Sequence, residues 1–337
     1  MARRICFDRV LPRDLRRTIR FRAIPGAGGR TRAITPIGKL WMNGSTLRVR
    51  FVDGTPAQQE TVRQFAPRWT DHANLHFEFG HAPDAEIRIA FADDGAWSYV
   101  GTDARGIPAH EPTMNFGWLD EAVVLHEFGH AIGLAHEHQN PAGGIQWNEP
   151  VVIRDLSGPP NRWDEATIRH NVLAKYEHDQ VNGTEFDPQS IMLYSFPADW
   201  TLNGFQSEPN MKLSLLDQSF AASARMYPGR AAPEETELTV AEIEGVEASI
   251  GQPGEEDLYT FQATRPGRYT VETTGPTDLV MKLFGPESRT RLVAQDDDGG
   301  QGTNPRILAD LSPGRYFVQI RHYEARGTGA YTVKVYR

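Results

Sequence analysis

The spacing of apolar and polar residues divides the chain into two sections with different predicted secondary structure. In the first section, the alternation in "TLRVRFVDG" from Thr46 predicts a strand, and Thr55 followed by Pro56 predicts the N-cap and first turn of a helix. The runs "LHFEF" and "EIRIAF" predict two further strands, and "WSYVG" predicts a segment at the edge of their sheet. A sheet therefore precedes position 120.

Helical patterns dominate the rest of this section. One helix is predicted to begin near Asp120, and another to run from about Asp164 to Tyr176. The run "LDQSFAASARMYPG" predicts a last helix, which Pro228 and Gly229 end. We therefore expect an α+β domain over residues 40–229.

A polar, charged stretch separates this section from the next. "RAAPEETE", residues 230–237, is predicted to be an exposed linker. Beyond it, short alternating runs such as "RYTVETT" and "RYFVQIRHY" are separated by turn residues, which predicts an all-β sandwich over residues 238–337. With an arginine-rich arm at residues 1–39, the chain is expected to contain an arm, two domains and a linker.

Four of the chain's 11 histidines fall within "HEFGHAIGLAHEH", residues 126–138. On a helix, His126 and His130 lie about 40° apart, so both imidazoles point to one side. His136 would lie about 240° further round, so it joins them only if the helix ends first, and Gly133 is a residue that can end it. The spacing therefore predicts a metal site with three histidine ligands.

Zinc is the metal that this ligand set favours. Three neutral imidazoles leave a fourth position for water, which is typical of catalytic rather than structural zinc sites. Glu127 projects beside the cluster and is expected to act as a base rather than as a ligand. A buried histidine without a metal is the usual alternative for a single histidine, but three in this register beside an acid favour a metal site.

The motif HExxHxxGxxH resembles the zinc-binding motif of the metzincin metallopeptidases. Glu137, which follows the third histidine, is similar to the glutamate found at that position in the astacin branch. "SIMLY", residues 190–194, resembles the Met-turn that runs beneath the metal in that clan, with Met192 as its methionine. The resemblance implies a twisted mixed sheet with an edge strand, a zinc-site helix and a Met-turn. It covers about residues 40–228, although the disulfides of the animal enzymes are missing, since the chain has 1 cysteine.

The same resemblance assigns two further roles. Tyr194 is expected to approach the zinc and to bind the oxyanion of the transition state. The segment "GAWSYVGTD" is expected to pair with the backbone of the substrate through Trp97, Ser98, Tyr99 and Val100.

The C-terminal section, from about residue 234, resembles the bacterial pre-peptidase C-terminal domain, a β-sandwich appended to many secreted peptidases. Within it, "QDDDGGQG" places Asp296, Asp297 and Asp298 beside two glycines. These carboxylates suit calcium, but the spacing of a calcium loop is absent, and a solvated acidic turn is the favoured alternative. One catalytic zinc ion is the expected cofactor, with calcium as a weaker option.

Composition narrows the partners and the location. The formal net charge of −9 argues against nucleic acid, and no stretch reaches the roughly 18 apolar residues of a membrane span. We expect a monomer with a protein or peptide substrate and, as an option, attachment to matrix or cell surface through the C-terminal domain. The resemblance favours secretion, whereas no apolar region follows "MARR" as in a secretory signal, so a cytoplasmic enzyme is the alternative.

The arm contains the single cysteine, Cys6. A thiolate is a strong zinc ligand, so one hypothesis is that Cys6 fills the fourth position and keeps the enzyme latent, as a cysteine switch does in some metzincins. The register of the resemblance places the mature start near Ala33, after Arg32, and Glu137 would then pair with the new amino terminus. The simpler alternative is an incidental cysteine in a disordered arm.

The expected activity is that of a zinc endopeptidase, which hydrolyses peptide bonds with metal-activated water and with Glu127 as general base. One alternative is an adhesive or matrix-binding protein with a vestigial zinc domain. The retention of Glu127 and of all three histidines argues against it. Another alternative, a zinc amidohydrolase that acts on a non-peptide substrate, differs only in the shape of its cleft.

Overall fold

The structure is a computed structural model that describes residues 6–8, 35–36, 38–176, 181–182, 185–223, 225–229, 235–240, 245–324 and 326–337. Contacts between Cα atoms divide the chain into two compact units. The first comprises Met1–Trp41 and Leu47–Ala221, and the second comprises Met42–Thr46 and Ala222–Arg337. No helix among the described residues is long and apolar enough to cross a membrane.

The first unit combines short strands with helices, as an α+β domain does. Its described strands are β1 (Phe7–Asp8), β2 (Thr35–Pro36), β3 (Thr46–Phe51), β4 (His76–Phe79), β5 (Ile87–Ala90), β6 (Ala96–Ser98), β7 (Met114–Phe116) and β8 (Val181–Asn182). Its described helices are α1 (Pro56–Phe65), α2 (Glu121–Ala131), α3 (Glu149–Ser157), α4 (Glu165–Ile168), which a π-helix continues over Arg169–Leu173, and α5 (Leu215–Ala221). Short 3₁₀ turns occur at Ala66–Trp69, Gly101–Gly106, Glu137–Gln139, Pro141–Gly143 and Ala198–Trp200.

Six of these strands form one mixed sheet in the order β1-β6-β7-β5-β3-β4. The pairs β3 with β5 and β5 with β7 are parallel, whereas β6 and β7 are antiparallel. The arm strand β1 pairs in parallel with β6, so it covers the side of β6 that would otherwise form the edge of the sheet. The mixed sheet that the family resemblance implied is confirmed.

The helix α1 begins where its capping residues predicted. Thr55 is extended, its side chain accepts from the backbone of Gln58, and the Gln58 side chain accepts in return from the backbone N–H of Thr55. This reciprocal pair satisfies two N–H groups that have no partner within the helix, and Pro56 needs none.

The helix α2 is buried on every side over its last nine residues, Val123–Ala131. The Asp120 carboxylate caps its first turn and accepts from the backbone N–H of Val123 at 2.8 Å. Two tryptophans fix the helix further along, because the indole N–H of Trp69 donates to the carbonyl of Leu125 and that of Trp41 donates to the carbonyl of Ala131, each at 2.8 Å. The position of α2 is thereby set from its start to its last turn.

The second unit is a β-sandwich. Its described strands are β9 (Glu235–Glu237), β10 (Val246–Ile250), β11 (Glu256–Ala263), β12 (Gly267–Thr274), β13 (Leu279–Phe284), β14 (Leu292–Asp296), β15 (Arg306–Leu311), β16 (Gly314–His322) and β17 (Gly329–Tyr336). One sheet has the order β10-β17-β12-β15 and the other β14-β13-β16-β11-β9. Buried side chains from both sheets, including Val271, Val333, Leu283 and Val318, form one core between them, which confirms the predicted sandwich.

The linker predicted at residues 230–237 is wrong for its last three residues. Residues 230–234 lie outside the described residues, but Glu235–Glu237 form β9, which pairs in parallel with β11. The Glu235 carboxylate binds Arg289 and also accepts from Arg315, at 2.9 Å in the second case. Charged residues at a sheet edge look like a linker in sequence, because their partners lie far along the chain.

Two predicted helices are also shorter than expected. The stretch from Asp164 forms α4 and then the π-helix, which ends at Leu173 rather than near Tyr176. The last helix of the first section ends at Ala221, before Pro228.

Candidate metal centre

The helix α2 brings His126 and His130 together. Their Nε2 atoms lie 3.1 Å apart. The Nδ1 of His126 lies 2.7 Å from the carbonyl oxygen of Ile191, and that of His130 lies 2.9 Å from the carbonyl oxygen of Leu134. An Nδ1–H that donates to a carbonyl directs the imidazole lone pair to Nε2, so both rings are oriented to bind a metal through Nε2.

The helix stops before His136 as the spacing required. The left-handed residue Gly133, with φ of 110°, follows α2, and the N–H of Leu134 reaches back to the carbonyl of Gly129 at 2.9 Å. A Cβ atom at Gly133 would lie 2.9 Å from Cδ2 of Leu40, so the turn has little room for a side chain. The chain then returns to the cluster, where the Nε2 of His136 lies 3.1 Å from that of His130.

Cys6 completes the cluster. Its Sγ lies 2.8 Å from the Nε2 of His126 and 3.3 Å from that of His136. The four ligand atoms all lie within 4.8 Å of one another, and this is the one group of three or more such residues in the described part of the chain that can hold a metal. A tetrahedral zinc with Zn–N bonds of about 2.0–2.1 Å separates its nitrogens by roughly 3.3 Å, so the donor set fits zinc.

A tight turn at residues 190–193 packs beneath α2. The backbone N–H of Met192 donates to Oγ of Ser190 at 3.1 Å, and the carbonyl of Met192 accepts from the N–H of Glu137 at 2.9 Å. A Cβ atom at Gly129 would overlap Sδ of Met192. The methionine of the predicted Met-turn therefore lies directly against the helix that carries two of the histidines.

Asp217 anchors this turn, which the sequence analysis missed. Its carboxylate is buried, with 2% of the residue exposed, and accepts from Oγ of Ser190 at 2.7 Å and from the N–H of Ile191 at 2.8 Å. Since the carbonyl of Ile191 binds His126, Asp217 reaches a histidine of the cluster through one residue. Burial raises the pKa of Asp217 to about 6.

A sequence signal for Asp217 exists in "SLLD". Ser214 and Asp217 form a reciprocal cap at the start of α5, in which the N–H of each residue donates to the side chain of the other at 2.9 Å. The spacing of serine and acid predicts that cap. The second use of the carboxylate, on the Met-turn, depends on the tertiary structure.

Two glutamates of the histidine motif are buried. Glu127 has 0% exposure and lies on α2 next to His126. One oxygen of Glu137 accepts from the Asn140 side chain and from the backbone N–H of Asp187, both at 2.9 Å. Burial raises the pKa of Glu137 to about 8, well above the ordinary range of a glutamate.

Tyr194 lies over the histidines. Its hydroxyl donates to the backbone carbonyl of Cys6 at 2.5 Å, and its ring centroid lies 4.2 Å from that of His136. The ring of His138, a residue to which the sequence analysis assigned no role, also stacks on Tyr194, with centroids 4.3 Å apart. The Nε2 of His138 lies 2.8 Å from the carbonyl oxygen of Asn171.

The segment predicted to pair with substrate divides into two parts. Trp97 and Ser98 belong to β6 and lie opposite the arm strand β1. Tyr99 and Val100 are buried and follow the strand, and the N–H of Tyr99 donates to the carbonyl of Thr113 at 3.0 Å.

In the acidic turn of the second unit, residues 296–298, carboxylates accept hydrogen bonds from nearby backbone N–H groups. One carboxylate oxygen of Asp296 accepts from the backbone N–H groups of Gly299 and Arg306, both at 2.7 Å, and Asp297 accepts from the N–H of Asp298 at 3.1 Å. No calcium site is supported among the described residues. The predicted processing point between Arg32 and Ala33 lies outside the described residues.

Replacement of Gly129 with alanine tests the contact between α2 and the Met-turn. The new methyl group would overlap Sδ of Met192, so we expect a loss of about 1–3 kcal/mol in the free energy of unfolding and weaker retention of zinc. Urea unfolding and zinc analysis measure the two effects. Gly80→Ala is the matched control, because a Cβ atom there has no neighbour within 4 Å, and equal losses in both variants would contradict the contact.

Comparison with known proteins agrees with this geometry. The astacin peptidase family matches residues 34–211, and the bacterial pre-peptidase C-terminal domain matches residues 255–322. The solved structure of myroilysin is 38% identical to this chain, with a TM-score of 0.54, and the match covers 56% of this chain and 96% of that one.

Curated relatives are similar over the same region. Tolloid-like protein 1 of Mus musculus is 28% identical over 162 residues, which are 47% of this chain and 14% of that protein. Zinc metalloproteinase nas-38 of Caenorhabditis elegans is 27% identical over 178 residues, which are 52% of this chain and 22% of that protein. The chain thus spans less than a quarter of the length of either relative.

The astacin match covers more than half of the chain and includes the three histidines, Glu127 and the Met-turn. The resemblances inferred from the sequence are therefore confirmed, and the chain belongs to the astacin family of peptidases.

Proposed function

We propose that this chain is a zinc-dependent endopeptidase. The observation that carries the proposal is the convergence of the Nε2 atoms of His126, His130 and His136, in a member of a peptidase family. Zinc bound by these nitrogens supplies a Lewis acid that activates water and polarises the scissile carbonyl.

In this proposal Glu127 is the general base and then the general acid. It follows the first histidine on α2, and it is fully buried, so its carboxylate is shielded from bulk water. It accepts a proton from the attacking water and delivers that proton to the amine that leaves.

Tyr194 is the proposed oxyanion donor. Its hydroxyl already donates to a peptide carbonyl beside the histidine cluster, that of Cys6. A scissile carbonyl at the same place would receive the same hydrogen bond, which strengthens as negative charge develops on the oxygen.

The strand β6 is the proposed support for the substrate backbone. The arm strand β1 pairs with it in the structure, so its outer hydrogen-bonding groups can hold an extended peptide. Strand addition of this kind recognises the main chain of a peptide and therefore favours a protein or peptide substrate.

Latency through Cys6 is part of the proposal. Its Sγ lies 2.8 Å from the Nε2 of His126, where it would take the fourth ligand position that a catalytic water needs. The strand β1, which follows Cys6, lies along β6, where a substrate would bind. The arm, residues 1–39, then contains a pro-segment, which processing near Ala33 removes. Glu137 would then bind the new amino terminus in place of its present partners.

We further propose that the peptidase is a secreted monomer, which attaches to matrix or cell surface through its C-terminal unit. The match to the bacterial pre-peptidase C-terminal domain supports this location. Fractionation of producing cells tests it.

Glu127→Gln tests the general base. In a full chain that also carries Cys6→Ser, we expect this variant to retain about one zinc per chain and to hydrolyse casein at least about 10²-fold more slowly. Native mass spectrometry and a casein assay measure the two properties. Glu121→Gln, in the partly exposed first turn of the same helix, is the control and should keep its activity. Turnover by Glu127→Gln at the parent rate would refute the assignment.

Cys6→Ser tests latency. A serine hydroxyl is a poor zinc ligand compared with a thiolate, so the intact variant should hydrolyse a quenched peptide at least about tenfold faster than the intact parent. Alkylation of the parent at its single cysteine should have the same effect and should leave the serine variant unchanged. Equal rates in all three forms would remove the switch.

Metal removal and acid test the role of zinc. A chelator should abolish casein hydrolysis, and added zinc should restore it. Activity should also fall in mild acid, roughly below pH 6, because protonated imidazoles do not bind metal, and zinc release should follow the same pH curve. Hydrolysis that survives complete zinc removal would exclude the proposed chemistry.

A further inference from the structure

The arm runs along β6 and past the histidine cluster. Phe7 and Asp8 pair with Trp97 and Ser98 of β6, while the carbonyl of Cys6 accepts from Tyr194. One continuous segment, residues 6–8, thus contacts both the backbone of β6 and the histidine cluster. The side chain that follows Cys6 therefore samples a part of the cleft that a bound substrate would also meet.

Phe7 occupies a recess with an aromatic wall. Its ring meets that of Trp163 edge to face, with centroids 5.8 Å apart and planes at 73°. This is a favoured geometry for aromatic pairs, because the positive edge of one ring faces the negative face of the other. The backbone N–H of Trp163 donates to the carbonyl of Leu156 at 3.0 Å, so the wall is tied to α3 rather than to the arm.

The floor of the recess is a glycine. A Cβ atom on Gly95 would lie 3.0 Å from Cε1 of Phe7, which is tighter than ordinary contact. Gly95 also has φ of 94°, a conformation that L side chains rarely adopt. The chain therefore keeps an open space at this point of the cleft, and a large flat ring fills it.

We propose that the recess between Trp163 and Gly95 is a substrate subsite that selects an aromatic side chain within two residues of the cleaved bond. When the arm leaves, Phe7 leaves with it, and the apolar wall of Trp163 is uncovered beside the metal centre. An aromatic side chain of a substrate restores the same contact. This inference rests on the proposed peptidase function and names the class of peptide that it cleaves.

Cleavage-site profiling tests the subsite. The full zinc-loaded chain with Cys6→Ser is given a proteome-derived peptide mixture, and the residues around each cut are counted. We expect Phe, Tyr and Trp to be enriched at one position within two residues of the cut. In paired peptides with Phe or Ala there, Trp163→Ala should reduce the ratio of their kcat/KM values by about three- to tenfold, with the alanine peptide little changed.

Phe79→Ala is the matched control. Phe79 is a partly buried aromatic residue on β4, at the far edge of the same sheet, and its loss should not alter the ratio. Cleavage without an aromatic preference, or a preference that survives Trp163→Ala, would overturn the subsite and leave the peptidase function intact. If no peptide is cleaved, the peptidase function fails, and the subsite fails with it.

A second measurement does not need turnover. Labelling of Cys6 by a thiol reagent in the zinc-loaded full chain reports release of the arm. Phe7→Ala and Trp163→Ala should each increase the labelling rate several-fold. In the double variant the increase should be smaller than the product of the two single increases, because each single substitution already removes the contact that the two rings share. Fully multiplicative effects would show that the two rings do not interact.

Discussion

The metal centre requires three imidazole nitrogens to converge: the Nε2 of His130 lies 3.1 Å from that of His126 and 3.1 Å from that of His136. The nitrogen lone pairs repel one another at this distance. The protein must therefore hold the rings in place before a cation binds. It does so with one buried helix and one turn. The helix α2 fixes His126 and His130 at one register, and the break at Gly133 returns His136 to them. The two tryptophan N–H groups on the carbonyls of α2 then hold that helix in place.

A network of buried polar groups lies beside the histidines. Asp217 binds the Met-turn, the Met-turn carbonyl of Ile191 binds His126, and the carbonyl of Met192 binds the backbone of Glu137. Burial raises the pKa of both Asp217 and Glu137, which shows that their environment disfavours charge. Hydrogen bonds offset part of that cost: two N–H groups donate to Glu137, and two N–H groups and one O–H group donate to Asp217. The network therefore fixes the turn in one position.

The arm contacts the site at three places. The thiol of Cys6 adds a fourth donor, its carbonyl takes the hydroxyl of Tyr194, and its neighbour Phe7 fills the recess at Trp163. The histidines and Tyr194 also have roles in the proposed reaction, and Trp163 has a role in the proposed subsite. In the proposed function, a segment that binds in this way blocks the cleft, and the proposed subsite relates its Phe7 side chain to the peptides that the cleft accepts.

Features that depend on local spacing can be predicted from the amino-acid sequence alone. The register of His126 and His130, the break at Gly133, the cap at Thr55 and the alternation that forms the sandwich all follow from helical or strand periodicity and from glycine, proline and capping residues. The family resemblance added the Met-turn at Met192 and a position for Tyr194. The remaining contacts arise only when the chain folds, because their partners are distant in the chain. They are Cys6 beside His126, Asp217 beneath the Met-turn, Phe7 against Trp163, and Glu235 in a strand rather than a linker. A periodic pattern shows which face a residue shares with its neighbours, but it does not show which remote segment will pack against that face.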